Sequence, residues 1–368
     1  MSSDTSFDLL WAAPEDEPDI RALVGSIPMP GAAAMRFARE PDYFLGATIM
    51  GDLCDVLVAR HRLDGRLAGI ACRAERRAYL NGREAALGYI GQIRVAPDFR
   101  GHWLVHRGAK VFREASPPSL LYMGVIAGEN PRTRELLVGT RLPGGLHAVR
   151  VCGLTTCAIL LRPLRVLRVP GIDVQSGSPE SLGEIVEFLR IQGPRRQFFP
   201  VYTLEDFTGG EKLRGLRPQD IFVARRGRAV VGVMAAWDQA AYKQDVVEAY
   251  GPTLRRLRPV YNLAARLLGA RTLTPPGQAI PLAFASCICI SDDDPAVMSA
   301  LLSAGMQSAH QRGKAFLMLG LADDDPLLAV ARRHLHVAYH SDLFAVSWYY
   351  ETITQLDRRV PYIEIATL

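Results

Sequence analysis

The sequence predicts an α/β (α+β) fold built from two copies of one strand-rich unit. Three observations carry this. Hairpin signals recur in both halves, each is followed further on by strand–helix–strand, and 368 residues exceed what one hydrophobic core organises. Pro170-Gly171 marks the boundary, giving 1–170 and 171–368.

In the first half, residues 14 to about 50 alternate helical stretches with Pro and Gly breaks. Val56–Arg60 then reads as a strand, Leu63–Arg66 as a turn and Leu67–Ala71 as the partner strand. Asn81-Gly82 is the strongest short hairpin signal and leads into a long strand, Ala86–Val95. A turn through Pro97 and Arg100-Gly101 follows, then a helix over about 102–114 and a strand, Leu120–Ala127. Another helix starts at Asn130-Pro131, where Pro in the first turn forgoes no hydrogen bond. An apolar strand near Thr155–Leu161 ends the unit.

The second half opens with an amphipathic helix, Pro179–Arg190. Asp220–Arg225, Gly227 and Val230–Met234 repeat the earlier hairpin. Leu282–Ile290 (strand), Pro295–Arg312 (helix), Ala315–Leu321 (strand) and Pro326–His334 (helix) then echo 86–140 in order and size.

Composition narrows the function class. Hydrophobic residues at 49% and charged residues at 22% describe an ordinary globular chain without a disordered block. The net charge of +5 suits a polyanionic small molecule and is too small to argue for nucleic acid. No apolar run approaches the roughly 20 residues a spanning helix needs, so no membrane partner is expected. The beginning, MSSDTSFDLLW, lacks a basic region before an apolar core, so no signal peptide is expected. The six cysteines include no Cys-x-x-Cys pair and sit mostly in apolar segments, which fits buried thiols in the cytoplasm.

The stretch from Gln92 to His102 carries the most chemistry. A helix that begins after a tight turn offers N–H groups without intrahelical partners, and the macrodipole adds positive potential, so such a turn suits a diphosphate. Together with the early segment Phe37–Phe44, the hairpin and Glu129-Asn130-Pro131, this order of elements resembles the GNAT acyltransferases over residues 14–160. The resemblance implies two GNAT-like domains, each a mixed, mostly antiparallel sheet flanked by helices. It also implies acetyl-CoA or another acyl-CoA as co-substrate, with no metal. Ile93, Arg94 and Val95 would run beside the pantetheine arm. Arg100, with the N–H groups of Gly101, His102, Trp103, Leu104 and Val105, would hold the diphosphate, and Asn130 would lie near the thioester.

Counted from Arg100, the family pattern expects glycine at Trp103 and glycine or alanine at Val105. A Cβ there keeps phosphate oxygens from the backbone. His102, His106, Arg107 and Lys110 add compensating charge. Amide formation needs a base for the attacking amine and a donor for the oxyanion. Tyr89 and Gln92 on the central strand, Tyr122 on the next, and Glu129 through water are the catalytic candidates.

In the second half, Asp292-Asp293-Asp294 and Asp323-Asp324-Asp325 stand where the helices begin. They read as N-cap clusters that repel a diphosphate, with a cation site as the alternative. His334, His336 and His340 suggest zinc but have no evident fourth ligand, and Cys287 and Cys289 share one strand face as core packing. The expectation is therefore an N-acyltransferase acting on a small-molecule or peptide amine through a ternary complex, and a homodimer is admitted. The alternatives are a GNAT-like scaffold without turnover, or transfer of long acyl groups from a carrier protein.

Overall fold

The computed structural model describes residues 6–29, 33–102, 104–128, 145–163 and 165–368. The strands are β1 (Phe7–Trp11), β2 (Ala33–Ala38), β3 (Leu53–His61), β4 (Leu67–Leu80), β5 (Arg83–Val95), β6 (Leu121–Ala127) and β7 (His147–Leu160). The second half adds β8 (Asp173–Ser176), β9 (Ile221–Arg226), β10 (Ala229–Trp237), β11 (Gln244–Tyr250), β12 (Leu282–Ile290), β13 (Phe316–Ala322) and β14 (His336–Ser347).

Twelve of these form one mixed sheet, in the order β1-β3-β4-β5-β6-β14-β7-β13-β12-β10-β9-β8. Pairing is parallel only at β5–β6 and β12–β13 and antiparallel elsewhere. The order mirrors itself about the centre. There β14, from the end of the chain, lies between β6 and β7, and β7 pairs with β13. Strand pairing thus crosses the sequence position near residue 170.

Local rules explain the hairpins. Leu80 pairs with Arg83 across Asn81 and Gly82, which have φ of 52° and 77°, the left-handed pair a tight two-residue hairpin needs. Alternation along the strands sends side chains to two faces. One face joins Tyr43, Cys72, Tyr89 and Met123 with the large core shared by both halves; the other joins Leu57, Phe112, Tyr122 and Phe344.

Several expectations are corrected. Ala33–Ala38, overlapping the segment read as early helix, is a strand that pairs with β11 in a second, two-stranded sheet; helix resumes only at Tyr43–Ala47. Pairing with β11 overrides the helical propensity of this Ala-, Met- and Arg-containing segment. The helix expected over Pro326–His334 shrinks to Leu328–Ala331. Two other helices stand where they were read: Leu104–Ala115 for the one over about 102–114, and a short 3-10 turn running into Leu182–Gln192 for the one over Pro179–Arg190. The helix predicted from Asn130 lies outside the described residues.

The final residues form a strap through the interior. The Gln197 N–H donates to the Val360 carbonyl (3.1 Å), and the Tyr362 N–H donates to the Gln197 carbonyl (2.8 Å). Arg76 donates to the Thr367 hydroxyl (2.9 Å), and Lys243 Nζ donates to the carbonyls of Ala366 (2.8 Å) and Leu368 (2.9 Å). Burial, reinforced by the nearby Arg39 charge, brings the Lys243 ammonium down to about 7.

Two predictions follow from this architecture. Phe344, 1% exposed on the strand that joins the halves, should cost about 3–5 kcal/mol when replaced by Ala, read by chemical denaturation. The second concerns Lys243. Below pH 7 both folded and unfolded chains hold its proton; between 7 and 10.5 the unfolded chain binds more. Raising pH through that window should therefore stabilise the wild type relative to Lys243→Met, by up to about 1.4 kcal/mol per pH unit. A pH series of unfolding curves for both proteins would reveal the slope.

Candidate functional site

The sheet opens twice, and a β-bulge marks each opening. Opposite Ala71, β5 carries two residues, Gln92 and Ile93, and Gln92 adopts φ of 53°. Such a bulge bends the strand and re-aims its amides. The β5–β6 ladder ends at Tyr89↔Met123, while β5 continues against β4 to Val95 and β6 continues against β14 to Ala127. From Ile90 and Gly124 onward, the facing edges share no ladder pairs. The second opening repeats this: Cys287 and Ile288 lie opposite Met234, Cys287 has φ of 53°, and the β12–β13 ladder ends at Phe284↔Met318.

Beyond the first bulge the chain turns through Pro97–Phe99 and Gly101 into the helix Leu104–Ala115. Phe99 anchors the turn, buried edge-on against Phe7 at 5.5 Å. Gly101 has φ of 95°, and a Cβ there would meet nothing within 4 Å, so backbone conformation rather than space selects glycine. Arg100 is exposed, Ile93 is 43% exposed and Val105 is 47% exposed. Leu104 is buried beside Phe99, and His102 stands edge-on to Phe7 at 5.3 Å. Arg94 is half-buried and donates to the Ile93 carbonyl (3.0 Å), and Val95 pairs with Gly69. Trp103, Glu129 and Asn130 lie outside the described residues.

The catalytic candidates separate by face. The Tyr89 side chain shares its face with Tyr43, whose hydroxyl lies 2.9 Å from Cys72 Sγ. The Tyr89 hydroxyl lies over Gly91, where a Cβ would come within 2.2 Å of it, so Gly91 admits the phenol to the bulge next to Gln92. Burial raises the Tyr89 phenol to about 12. At neutral pH it keeps its proton and can donate but not abstract. Tyr122 is on the other face, its ring against Gly88, its hydroxyl 2.5 Å from Ser116 Oγ and its edge against Trp348. Tyr89 thus reaches the bulge that carries Gln92, and Tyr122 lies on the opposite face.

Sequence reading missed a band of buried charge that runs between the two openings. Arg39 is 4% exposed, Arg76 9%, Lys243 8% and Glu364 4%. Asp245 Oδ1 and Glu364 Oε1 are buried and, among the described residues, lack a hydrogen-bond partner. Burial pushes both carboxyls up. The available signal was charge inside an apolar, strand-like stretch, as in Tyr362–Ile365.

The second opening is filled from within. Cys287 N–H donates to Glu364 Oε2 (2.8 Å), Ile288 N–H donates to the Tyr362 hydroxyl (3.0 Å), and that hydroxyl donates to Glu364 (2.8 Å). The acidic triplet is ion-paired: Arg195 with Asp292 (2.9 Å), Arg196 with Asp293 (2.5 Å) and Asp325 (3.1 Å), and Arg226 with Asp294. Asp294 also caps the helix Pro295–Gln311 by accepting from the Ala296 N–H (2.8 Å). A cleft of about 130 Å³ remains beside Cys289, Leu321 and Arg196. Among the described residues, no group of three or more His, Cys, Asp or Glu side chains is placed to hold a metal. His336 Nδ1 contacts the His334 carbonyl (2.7 Å), and His340 Nδ1 lies 3.3 Å from Thr155 Oγ1.

No family model matches this sequence, and no curated protein matches it. Solved structures do. Saccharomyces cerevisiae N-myristoyltransferase with bound myristoyl-CoA is similar at a TM-score of 0.60 and 11% identity, over 95% of this chain and 84% of that one. A GCN5-related N-acetyltransferase from Sphaerobacter thermophilus is similar at 0.55 and 13%, over 100% of both. The glucosamine N-acetyltransferase region of a fungal multi-domain β-N-acetylglucosaminidase gives 0.58 and 13%, over 93% of this chain and 38% of that one. At such identities the likeness is one of architecture, and with the mixed, mostly antiparallel sheet and its splayed parallel pair it establishes that the chain has a GNAT-like fold.

Proposed function

We propose that the chain is an N-acyltransferase in which residues 1–170 take an acyl-CoA and residues 171–368 form a second, diverged copy of the same unit. One contrast carries this reading. The bulged edge of β12 has its Cys287 and Ile288 amides occupied by Glu364 and Tyr362, whereas the bulged edge of β5 leads straight to the glycine turn and helix start. An extended, amide-bearing donor suits the second situation and not the first.

In this reading the pantetheine arm lies along Ile93–Val95, and Arg100 with the first turn of the helix Leu104–Ala115 receives the diphosphate. The acceptor amine loses a proton to water or a base and attacks the thioester carbonyl. The C–N bond forms first and the carbonyl electron pair moves onto oxygen, where a strand amide of the bulge stabilises the oxyanion; its collapse breaks the C–S bond, and Tyr89 protonates the leaving thiolate. Neighbours named as N-myristoyltransferase and N-acetyltransferases support an acyl-CoA donor and an amine acceptor such as a peptide or sugar. Six free cysteines support a cytoplasmic setting.

The second reading, a binding protein without turnover, is favoured by Val105 at a family glycine or alanine position and by the self-filled second opening. Titration calorimetry with acetyl-CoA and longer acyl-CoAs separates the two from failure. We expect micromolar binding, weakened about tenfold by Arg100→Ala and by Gly101→Val, the second through the φ that Val cannot adopt. No binding of any acyl-CoA at millimolar ligand overturns the donor site, and turnover lost in Arg100→Ala excludes the binding-only reading.

A further inference from the structure

The helix Pro252–Leu267 stands on the surface with only Ala265 of its sixteen residues fully buried. Its inner face is fixed to the body. Ala265 and Tyr261 pack against Leu160 and Phe316, the Leu273 N–H donates to Asn262 Oδ1 (2.9 Å), and the Arg258 guanidinium lies 5.6 Å from the Tyr250 ring centroid. The outer face is aliphatic. Leu257, Val260, Leu263 and Leu267 recur at i, i+3, i+6 and i+10, and are 53, 67, 60 and 80% exposed. Isolated exposed aliphatic residues need no explanation, but four in one helical stripe do.

Charge accompanies the stripe. Residues 252–271 contain five arginines and no acidic residue, with Arg255, Arg256 and Arg266 exposed. The patch extends sideways: Gly269 abuts Pro163, and just beyond lie Val166 (37% exposed) and Leu167 (51% exposed) between Arg165 and Arg168. The Leu167 N–H donates to Ser303 Oγ (2.8 Å), so this segment is also tied down. Residues 161–170 add three arginines and again no acid. Eight arginines in these two stretches exceed the chain's net charge of +5, so the rest of the chain is net acidic. The positive surface is local.

From this we infer that the outer face of the helix Pro252–Leu267 is a docking surface for an anionic lipid bilayer. The occupant follows from shape and charge together. The four aliphatic side chains are 53–80% exposed, so a folded partner would have to bring a matching groove, whereas a fluid headgroup layer admits them and needs no complementary shape. The flanking guanidiniums then meet lipid phosphates, which they can bond bidentately. A symmetric dimer through this face would press one set of arginines against another. Peripheral docking requires no spanning segment, and among the described residues no helix is long and apolar enough to cross a membrane. The inference stands on the surface alone and is independent of acyl transfer.

Flotation of the full chain with phosphatidylglycerol–phosphatidylcholine vesicles, against phosphatidylcholine alone, tests it. We expect binding to the anionic vesicles only, falling as salt rises. The pair Leu263→Asp with Leu267→Asp should weaken binding at least about tenfold. Both side chains are exposed, so circular dichroism and the thermal midpoint should stay unchanged. The pair Arg255→Glu with Arg256→Glu should weaken binding similarly and flatten the salt dependence. No flotation with anionic vesicles, binding indifferent to both pairs, or a concentration-dependent dimer that the Leu263/Leu267 pair abolishes would each overturn the assignment.

Discussion

Placement of β14 between β6 and β7 is the constraint on which the rest of the molecule depends. All twelve of its residues pair with β7, and six of them also pair with β6. Without that double ladder the sheet would end at β6 on one side and β7 on the other, each edge exposing apolar faces. With it, Leu343, Phe344 and Ala345 close the two cores across the centre. The two openings then lie two strands to either side of the β14–β7 pairing, and neither can shift without breaking strand pairs. Hydrogen bonds, rather than a linker, set their relation.

Each opening uses the same device, and the two differ in what occupies it. A bulge holding a non-glycine residue at φ of 53° is strained, by about 1 kcal/mol or more, and persists because flanking ladder pairs hold it. In the second half the exposed amides find partners within the chain, and the acidic turn beyond is neutralised by Arg195, Arg196 and Arg226. In the first half the strand edge instead runs into an open glycine turn. Burying Arg39, Arg76 and Lys243 between the openings is costly in isolation. Backbone carbonyls, the Thr367 hydroxyl and the carboxyls of Asp245 and Glu364 offset that cost, leaving Lys243 near neutrality in its titration.

Much of this was legible in the residues. Asn81-Gly82, the apolar runs 86–95 and 282–290, and the helix with Pro295 in its first turn carry strong local signals. The turn from Pro97 to Gly101 was legible for the same reason, because a left-handed glycine after a strand leaves few alternatives. Ala33–Ala38 was not, since nothing local distinguishes an edge strand from a short helix until β11 arrives more than 200 residues later. The bulges were also invisible. Gln92 and Cys287 are not residues that announce a positive φ, and their register shifts exist only against β4 and β10.

By itself, then, the order of residues determined the hairpins, the strand–turn–helix units and the fold class, all of which depend on periodicity and turn chemistry over short separations. Tertiary structure alone decided which strand lies at the centre, which opening the chain fills with its own Tyr362 and Glu364, and which tyrosine faces the bulge. Those outcomes rest on pairings and burial between residues far apart in sequence, where no local preference acts.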